Sequence, residues 1–293
     1  MSFTKLATLV SSITAFLLML LKFFVGFFSG SISVLSSAID SFLDMFVSVF
    51  NYFAVHNSEK DPDDKFNYGR GKVEAIAALF EGLIITLSGF YILYESIFKI
   101  INKETVSYLG ISIIVMIISV SITFILVSFL NYVAKKTDNL VIKSDALHYK
   151  TDLFSNSAIL IGLGVIYFTS YYYIDSILGI IIAIYIIFSA YELIKKGFLL
   201  LLDVALDIEE VQKIENIISS QKLVTSFHEL RTRQSGNTKY VEVHLVFNPD
   251  IKLVDAHKVS DIIEIEIPKI DEKFTWSISV HLDPYNDCIK CVN

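Results

Sequence analysis

Cysteine is almost missing: the only two, Cys288 and Cys291, stand as C-x-x-C at the extreme C-terminal end of the 293 residues. No disulfide framework can hold such a chain. A C-x-x-C pair serves as a thiolate metal site or redox couple where a βαβ pattern frames it. No such pattern surrounds this one, and the pair reads first as part of a flexible tail. A basic excess is missing too. Lys and Arg total 24 against 31 Asp and Glu, a net charge of -7, which disfavours a nucleic-acid partner and suits cations better. Gly69-Arg70-Gly71-Lys72 lacks the spacing and the Ser or Thr with which a phosphate-binding loop holds magnesium, so nothing points to ATP. The chain has no H-E-x-x-H and no spare catalytic group. An intramembrane metalloenzyme, which needs an open coordination position and a general base, therefore has no support.

What the chain has in abundance is apolar sequence. Hydrophobic residues make up 54% and the mean hydropathy is +0.59, above the roughly 45 to 50% of a soluble domain. They gather in six runs at about residues 6–28, 34–55, 73–97, 106–133, a fifth ending near 170, and 173–198. Each is long enough to span a bilayer as a helix. The expectation is an α-helical membrane protein of two domains, with six transmembrane helices over residues 1–202 and a soluble domain over 203–293. Gly30-Ser31 is too short for anything but a tight turn. The first run is a full span without a small-residue cleavage site, and is expected to stay in the mature protein. Lys22, near its far end, reads as a side chain that snorkels to the interface.

Orientation follows from the loops. With the N-terminus inside, inner segments hold ten Lys and Arg, among them Lys65, Arg70, Lys135 and Lys195, while the outer loops hold only Lys99 and Lys103. Both termini and the soluble domain are then cytoplasmic.

Four ionisable groups sit inside this apolar sequence at matched spacing. Asp40 and Asp44 lie four apart in the second run, and His148 and Asp152 four apart at the opening of the fifth. In a helix such residues are about 40° apart around the axis and roughly 6 Å along it, so each pair projects from one face and can grip one small ion. Ionisable groups at membrane depth are costly and mark functional sites. Should the two pairs share one ion, three carboxylates and one imidazole make a tetrahedral shell that zinc accepts. A set carrying about three negative charges in low dielectric should hold protons when empty, so metal and protons compete for it. Two buried polar contacts stitching helices together would explain one aspartate, but not all four groups. Glu81, in the third run, reads instead as a hydrogen-bonding group at a helix interface.

The soluble domain reads as helix 208–221, strand 227–234, a turn at Ser235-Gly236-Asn237, strand 239–247, helix 253–268 and strand 275–281. This is an αββαβ sandwich with one sheet face covered by helices and the other free for a partner. Four of the six histidines, His228, His244, His257 and His281, fall in it, with Asp283 beside the last. Imidazole and carboxylate together suit zinc and its first-row neighbours.

Six spans, D-x-x-x-D on the second, H-x-x-x-D on the fifth and this tail resemble the cation diffusion facilitators, in particular the bacterial zinc and ferrous-iron efflux branch. The stretches Tyr68-Gly69-Arg70-Gly71-Lys72-Val73-Glu74, Leu201-Leu202-Asp203, Leu230 to Gly236 and His281-Leu282-Asp283-Pro284 carry the resemblance further. It implies a ferredoxin-like (metallochaperone-like) tail and a homodimer in the cell inner membrane that exports divalent metal from the cytoplasm in exchange for protons. The transport site it implies is Asp40, Asp44, His148 and Asp152. The cytoplasmic site is His228, His244, His257, His281 and Asp283, the aspartate bridging two ions, and Lys72 pairs with Asp203. One departure stands out. A loop site that some members build from an aspartate and two histidines would here fall on Asp63 or Asp64 with Phe66 and Arg70, neither of which ligates a cation. The ligands accept zinc, ferrous iron, cadmium or manganese. A manganese- or iron-selective transporter, or a membrane-tethered metal sensor or scaffold, remains as an alternative.

Overall fold

The computed structural model describes residues 2–29, 32–102, 110–169 and 174–286. The Gly30-Ser31 turn, the outer loop around Lys103 and the Cys288/Cys291 pair lie outside the described residues. By its internal contacts the chain divides into two compact units, one of Met1–Gly69 with Val73–Phe198 and one of Arg70–Lys72 with Leu199–Asn293.

Six long helices dominate: α1 (Phe3–Ser29), α2 (Ile32–Ser58), α3 (Lys72–Asn102), α4 (Gly110–Thr137), α5 (Leu140–Thr169) and α6 (Ile174–Leu201). A helix is what such sequence must form in lipid, because the backbone has no water to satisfy its polar groups. Among the described residues, α1, α2, α3, α4 and α6 each offer a stretch long and apolar enough to cross a membrane, and α5 carries Lys143, Asp145, His148, Lys150 and Asp152 in its first half. Apolar rings such as Phe27, Phe124 and Phe188 face outward, as suits a hydrocarbon solvent.

In the first unit α1, α2, α4 and α5 share a core in which Ala7, Leu130, Ile142 and Tyr149 are buried. Opposite α6, α3 is pared down to glycine. A Cβ on Gly82 would stand 2.7 Å from Ile194 Cγ1, and one on Gly89 2.8 Å from Ile187 Cγ1. Small residues let membrane helices approach closely where dispersion, not hydrophobic burial, must hold them.

The fifth helix begins at Leu140, eight residues before His148, which the sequence placed at the opening of the fifth run. Only Asp138 and Asn139 separate it from α4. Asp138 turns the chain in the left-handed region, at φ 53, and pairs with Lys143. Asn139 Oδ1 then accepts the Ile142 amide at 3.1 Å and caps the new helix. The lysine belongs to a helix start, so His148 and Asp152 sit in mid-helix.

The second unit contains α7 (Ile208–Ser219), β1 (Ser226–Ser235), β2 (Thr238–Val246), α8 (Leu253–Glu266), a short 3-10 turn and β3 (Thr275–Asp283), the expected αββαβ order. β1 and β2 form an antiparallel hairpin, and β3 joins the far side of β2 in parallel. Val241, Val243 and Leu245 face the helices, packing with Ile214, Ile218 and Ile263. Alternation along each strand sends the intervening residues to the other face. Gly236 turns the hairpin at φ 56. It lies so close to Gly71 that a Cβ on Gly71 would stand 2.5 Å from Ser235 O.

Candidate metal centres

α2 carries Asp40 and Asp44, and α5 carries His148 and Asp152. Ligand atoms of Asp44, His148 and Asp152 all lie within 4.8 Å of one another, and His148 Nε2 stands 3.2 Å from Asp44 Oδ1. His148 is buried at 7% exposure. Asp40 lies one turn earlier on α2, exposed, and outside that close set. Two carboxylates and an imidazole at this separation fit a small divalent cation and leave a fourth position for Asp40 or water.

Lys22 does not snorkel away. Its Nζ donates to Ser41 Oγ at 2.7 Å, and the carboxylates acting on its charge are Asp44, then Asp152, then Asp40. A position near a span end says nothing about which face of the helix carries a side chain, and this face is turned inward.

Along the same helices lies a second polar group that the sequence reading assembled only in part. Glu81 takes hydrogen bonds from Asn51 Nδ2, at 3.0 Å, and from Ser144 Oγ, in line with its reading as an interface group. Asn51 Nδ2 also reaches Asp145 Oδ1 at 3.2 Å, and Tyr149 OH pairs with Ser48 Oγ at 2.6 Å. Asn51 and Asp145 went unnoticed although Asp145 lies three residues before His148 on one helical stripe. The i, i+4, i+7 stripe Asp44, Ser48, Asn51 was the available signal.

In the second unit the sheet register builds the site. His228 pairs with His244 across the hairpin, and His244 with His281 across the parallel ladder. Three imidazoles thus stand in one row, centroids 4.9 and 4.6 Å apart. Asp283, two residues beyond His281 on the same face, reaches His244 Nδ1 at 2.9 Å, His281 Nε2 at 3.0 Å and His228 Nε2 at 3.3 Å. Ligand atoms of His228, His244 and Asp283 lie within 4.8 Å of one another, a nitrogen-rich donor set that fits zinc. His257 stands elsewhere, exposed on α8, its Nε2 3.7 Å from Asp261 Oδ1. A residue missed from sequence is Glu229. The register shifts between His228 and Arg231, Glu229 takes φ 50, and its carboxylate comes 4.0 Å from His244 Nε2. Bulges re-aim side chains in this way.

Lys72 Nζ is 2.9 Å from Asp203 Oδ2, and Arg233 Nη1 3.4 Å from Asp203 Oδ1. Burial alone would push the Asp203 carboxyl up. The hydrogen bond and charge of Lys72, with the charge of Arg233, outweigh it and hold the group below its ordinary value. In the loop, Asp63 Oδ1 accepts the amides of Lys65 and Phe66, at 3.0 and 2.9 Å, an Asx turn that engages the carboxylate in shaping the loop.

Residues 8–202 match the family described as the cation efflux transmembrane domain, and residues 206–285 match the cation efflux protein, cytoplasmic domain. Among curated relatives, the cation-efflux pump FieF of Escherichia coli (strain K12 / DH10B) is 35% identical over 279 residues, covering 95% of this chain and 92% of the relative. The pump of the same name from Citrobacter koseri is 34% identical over the same shares.

Proposed function

The chain belongs to the cation efflux family, a multi-pass membrane transporter rather than an enzyme, and from that premise we propose that it exports zinc from the cytoplasm in exchange for protons. Ferrous iron and cadmium are further cargoes of the same ligands. The observation that carries this reading is the convergence of Asp44, His148 and Asp152 from two apolar helices to within 4.8 Å. Asp40, one turn away, completes a tetrahedral shell of three carboxylates and one imidazole. Such a shell selects a borderline-soft divalent ion over alkali cations, since nitrogen ligation suits zinc and its neighbours.

Protons supply the return traffic. The carboxylates and imidazole that bind metal are the same groups that bind protons, and both cannot be held at once. Alternate exposure of the site to the two sides of an inner membrane then exchanges one for the other, with the proton gradient providing the work. Both termini and the tail lie on the cytoplasmic side, as the positive residues of the inner loops direct.

The tail is the sensing and pairing element of a homodimer. Its sheet has one face against α7 and α8 and presents the row His228, His244, His281 with Asp283 on the other. Metal held there lowers the negative charge of the face and favours the state in which two tails pair. His257 stands apart from this row, exposed on α8 on the helix side of the sheet.

The test is flux. Sealed lipid vesicles carrying the purified chain should take up zinc when their interior is made acid, and stop when the gradient is collapsed. Asp152→Ala should abolish uptake while leaving the protein folded. A sensor or scaffold would bind zinc through its tail and move none.

A further inference from the structure

Beyond the triad, the same helices bring together buried oxygen atoms that the transport site does not use. Asn51 follows Asp44 by seven residues on α2, and Ser144 and Asp145 precede His148 by four and three on α5. Each therefore lies on or beside the stripe that carries the triad, one to two turns away. Glu81 enters from α3. Asn51, Glu81, Ser144 and Asp145 are all 0% exposed.

One amide holds two carboxylates here, since Asn51 Nδ2 donates to Glu81 Oε2 at 3.0 Å and to Asp145 Oδ1 at 3.2 Å. The other oxygen of each side chain is left over. Among the described residues, the buried Glu81 Oε1, Asp145 Oδ2 and Asn51 Oδ1 find no hydrogen-bond partner. Ser11 and Ser48 hydroxyls lie near Asp145, but Ser11 donates to Thr8 O at 3.0 Å and Ser48 is engaged by Tyr149. The basic group acting on both carboxylates is His148, which Asp44 already holds.

Three orphaned acceptors beside two carboxylates call for something positive. A buried acceptor without a donor is costly, and a buried pair of carboxylates without a cation more so. A proton on each carboxyl is one answer to this need, and a divalent ion held by the two carboxylates with the Asn51 amide oxygen is the other.

We propose that Asn51, Glu81 and Asp145 form a second, all-oxygen station for the divalent cargo, on the cytoplasmic side of the Asp44–His148–Asp152 site. This placing rests on the orientation and transport reading given above. Lacking nitrogen, the station does not discriminate as the triad does: it receives hard and borderline divalent ions alike, loosely enough to pass them on. Selection is left to His148.

Manganese, a hard ion with a spin-resonance signal, is the probe. In the purified full-length Asp152→Ala chain, manganese should still bind with the signal of an oxygen-ligated ion. Adding Glu81→Gln should weaken that binding by at least about tenfold, through the loss of one ligand charge. In the Asp152→Ala background, Asn51→Asp, which replaces the amide by a third carboxylate, should tighten it. In an otherwise unaltered chain, Glu81→Gln should keep zinc affinity at the triad yet slow zinc flux by about tenfold or more. Manganese binding that survives Glu81→Gln unchanged, with flux at the wild-type rate, overturns the proposal. So does a shift in the pH dependence of flux with unchanged manganese binding, which would make the cluster a proton carrier alone. If the unaltered chain moves no zinc at all, the transport reading fails, while the manganese signal of Asp152→Ala still reports on the station.

Discussion

His244 Nδ1 and Asp283 Oδ2 stand 2.9 Å apart, joining the middle strand of the tail sheet to the end of its neighbour. Asp283 reaches the two flanking histidines as well, so it is the pivot of the row. Asp283→Ala should therefore remove tail-bound zinc, where loss of one flanking histidine only weakens it. Zinc at a hundredfold over its Kd should stabilise the unaltered chain by about 2.7 kcal/mol. Zinc-dependent melting of the purified protein reads the difference: an equal rise in Asp283→Ala would mean that the row is not the binding site.

That row was only half legible in the sequence. The strands, their order in the chain and their histidines could be read from alternation and a turn, and the D-x-x-x-D and H-x-x-x-D pairs from helical period. What alternation does not give is register, and register is what aligned His228, His244 and His281 while leaving His257 outside. The Asn51, Glu81 and Asp145 cluster needed three helices to meet, which no local pattern encodes. Lys22 was misplaced for the related reason that depth along a helix is read from sequence more easily than facing.

Lys22 makes a cation resident beside the triad. Its removal in Lys22→Met should let the carboxylates hold metal at least about tenfold more tightly, since its charge acts on all three at an effective dielectric near 20. Zinc titration of the purified chain is the measurement. Unchanged affinity would show that Lys22 serves only its hydrogen bond to Ser41.

His148 supplies the one nitrogen of the membrane site. His148→Asp makes the shell all oxygen, which should favour manganese and weaken zinc relative to it. Competition between the two metals for vesicle uptake tests this; an unchanged preference would place selectivity elsewhere.

Asp203, held below its ordinary value by Lys72 and Arg233, links stability to pH with a definite sign. Its folded pKa is the lower one, so the stabilisation is present above the unfolded value of about 3.9 and is lost as pH falls through the folded value. Both partners are more than a third exposed, which limits the pair to about 1 kcal/mol or less. Asp203→Asn should lower the melting temperature slightly at pH 6 and flatten its fall toward pH 3. Identical melting at every pH would mean that the pair contributes nothing.

The loop between α2 and α3 gives the last prediction, from a carboxylate with one oxygen already engaged. Asp63 Oδ1 accepts two backbone amides, and Asp63 and Phe66 exchange backbone hydrogen bonds at 3.2 and 3.0 Å, so this carboxylate shapes a turn. Phe66 and Arg70 stand where a metal-binding loop would need imidazoles, and neither ligates a cation. Replacing Asp63 and Asp64 together by Ala should leave the number of bound metal ions per protomer unchanged. It should loosen the loop, at a cost of about 1 kcal/mol for the lost side-chain-to-amide bonds. Counting metal by mass spectrometry on the intact purified protein, before and after substitution, decides it: one ion fewer per protomer would make the carboxylates ligands. The converse substitution, Phe66→His with Arg70→His, removes a positive charge and supplies two imidazoles to this stretch of chain. It should add a class of bound zinc, and failure to do so would show that the turn closed by Asp63 holds these positions too far apart to share an ion.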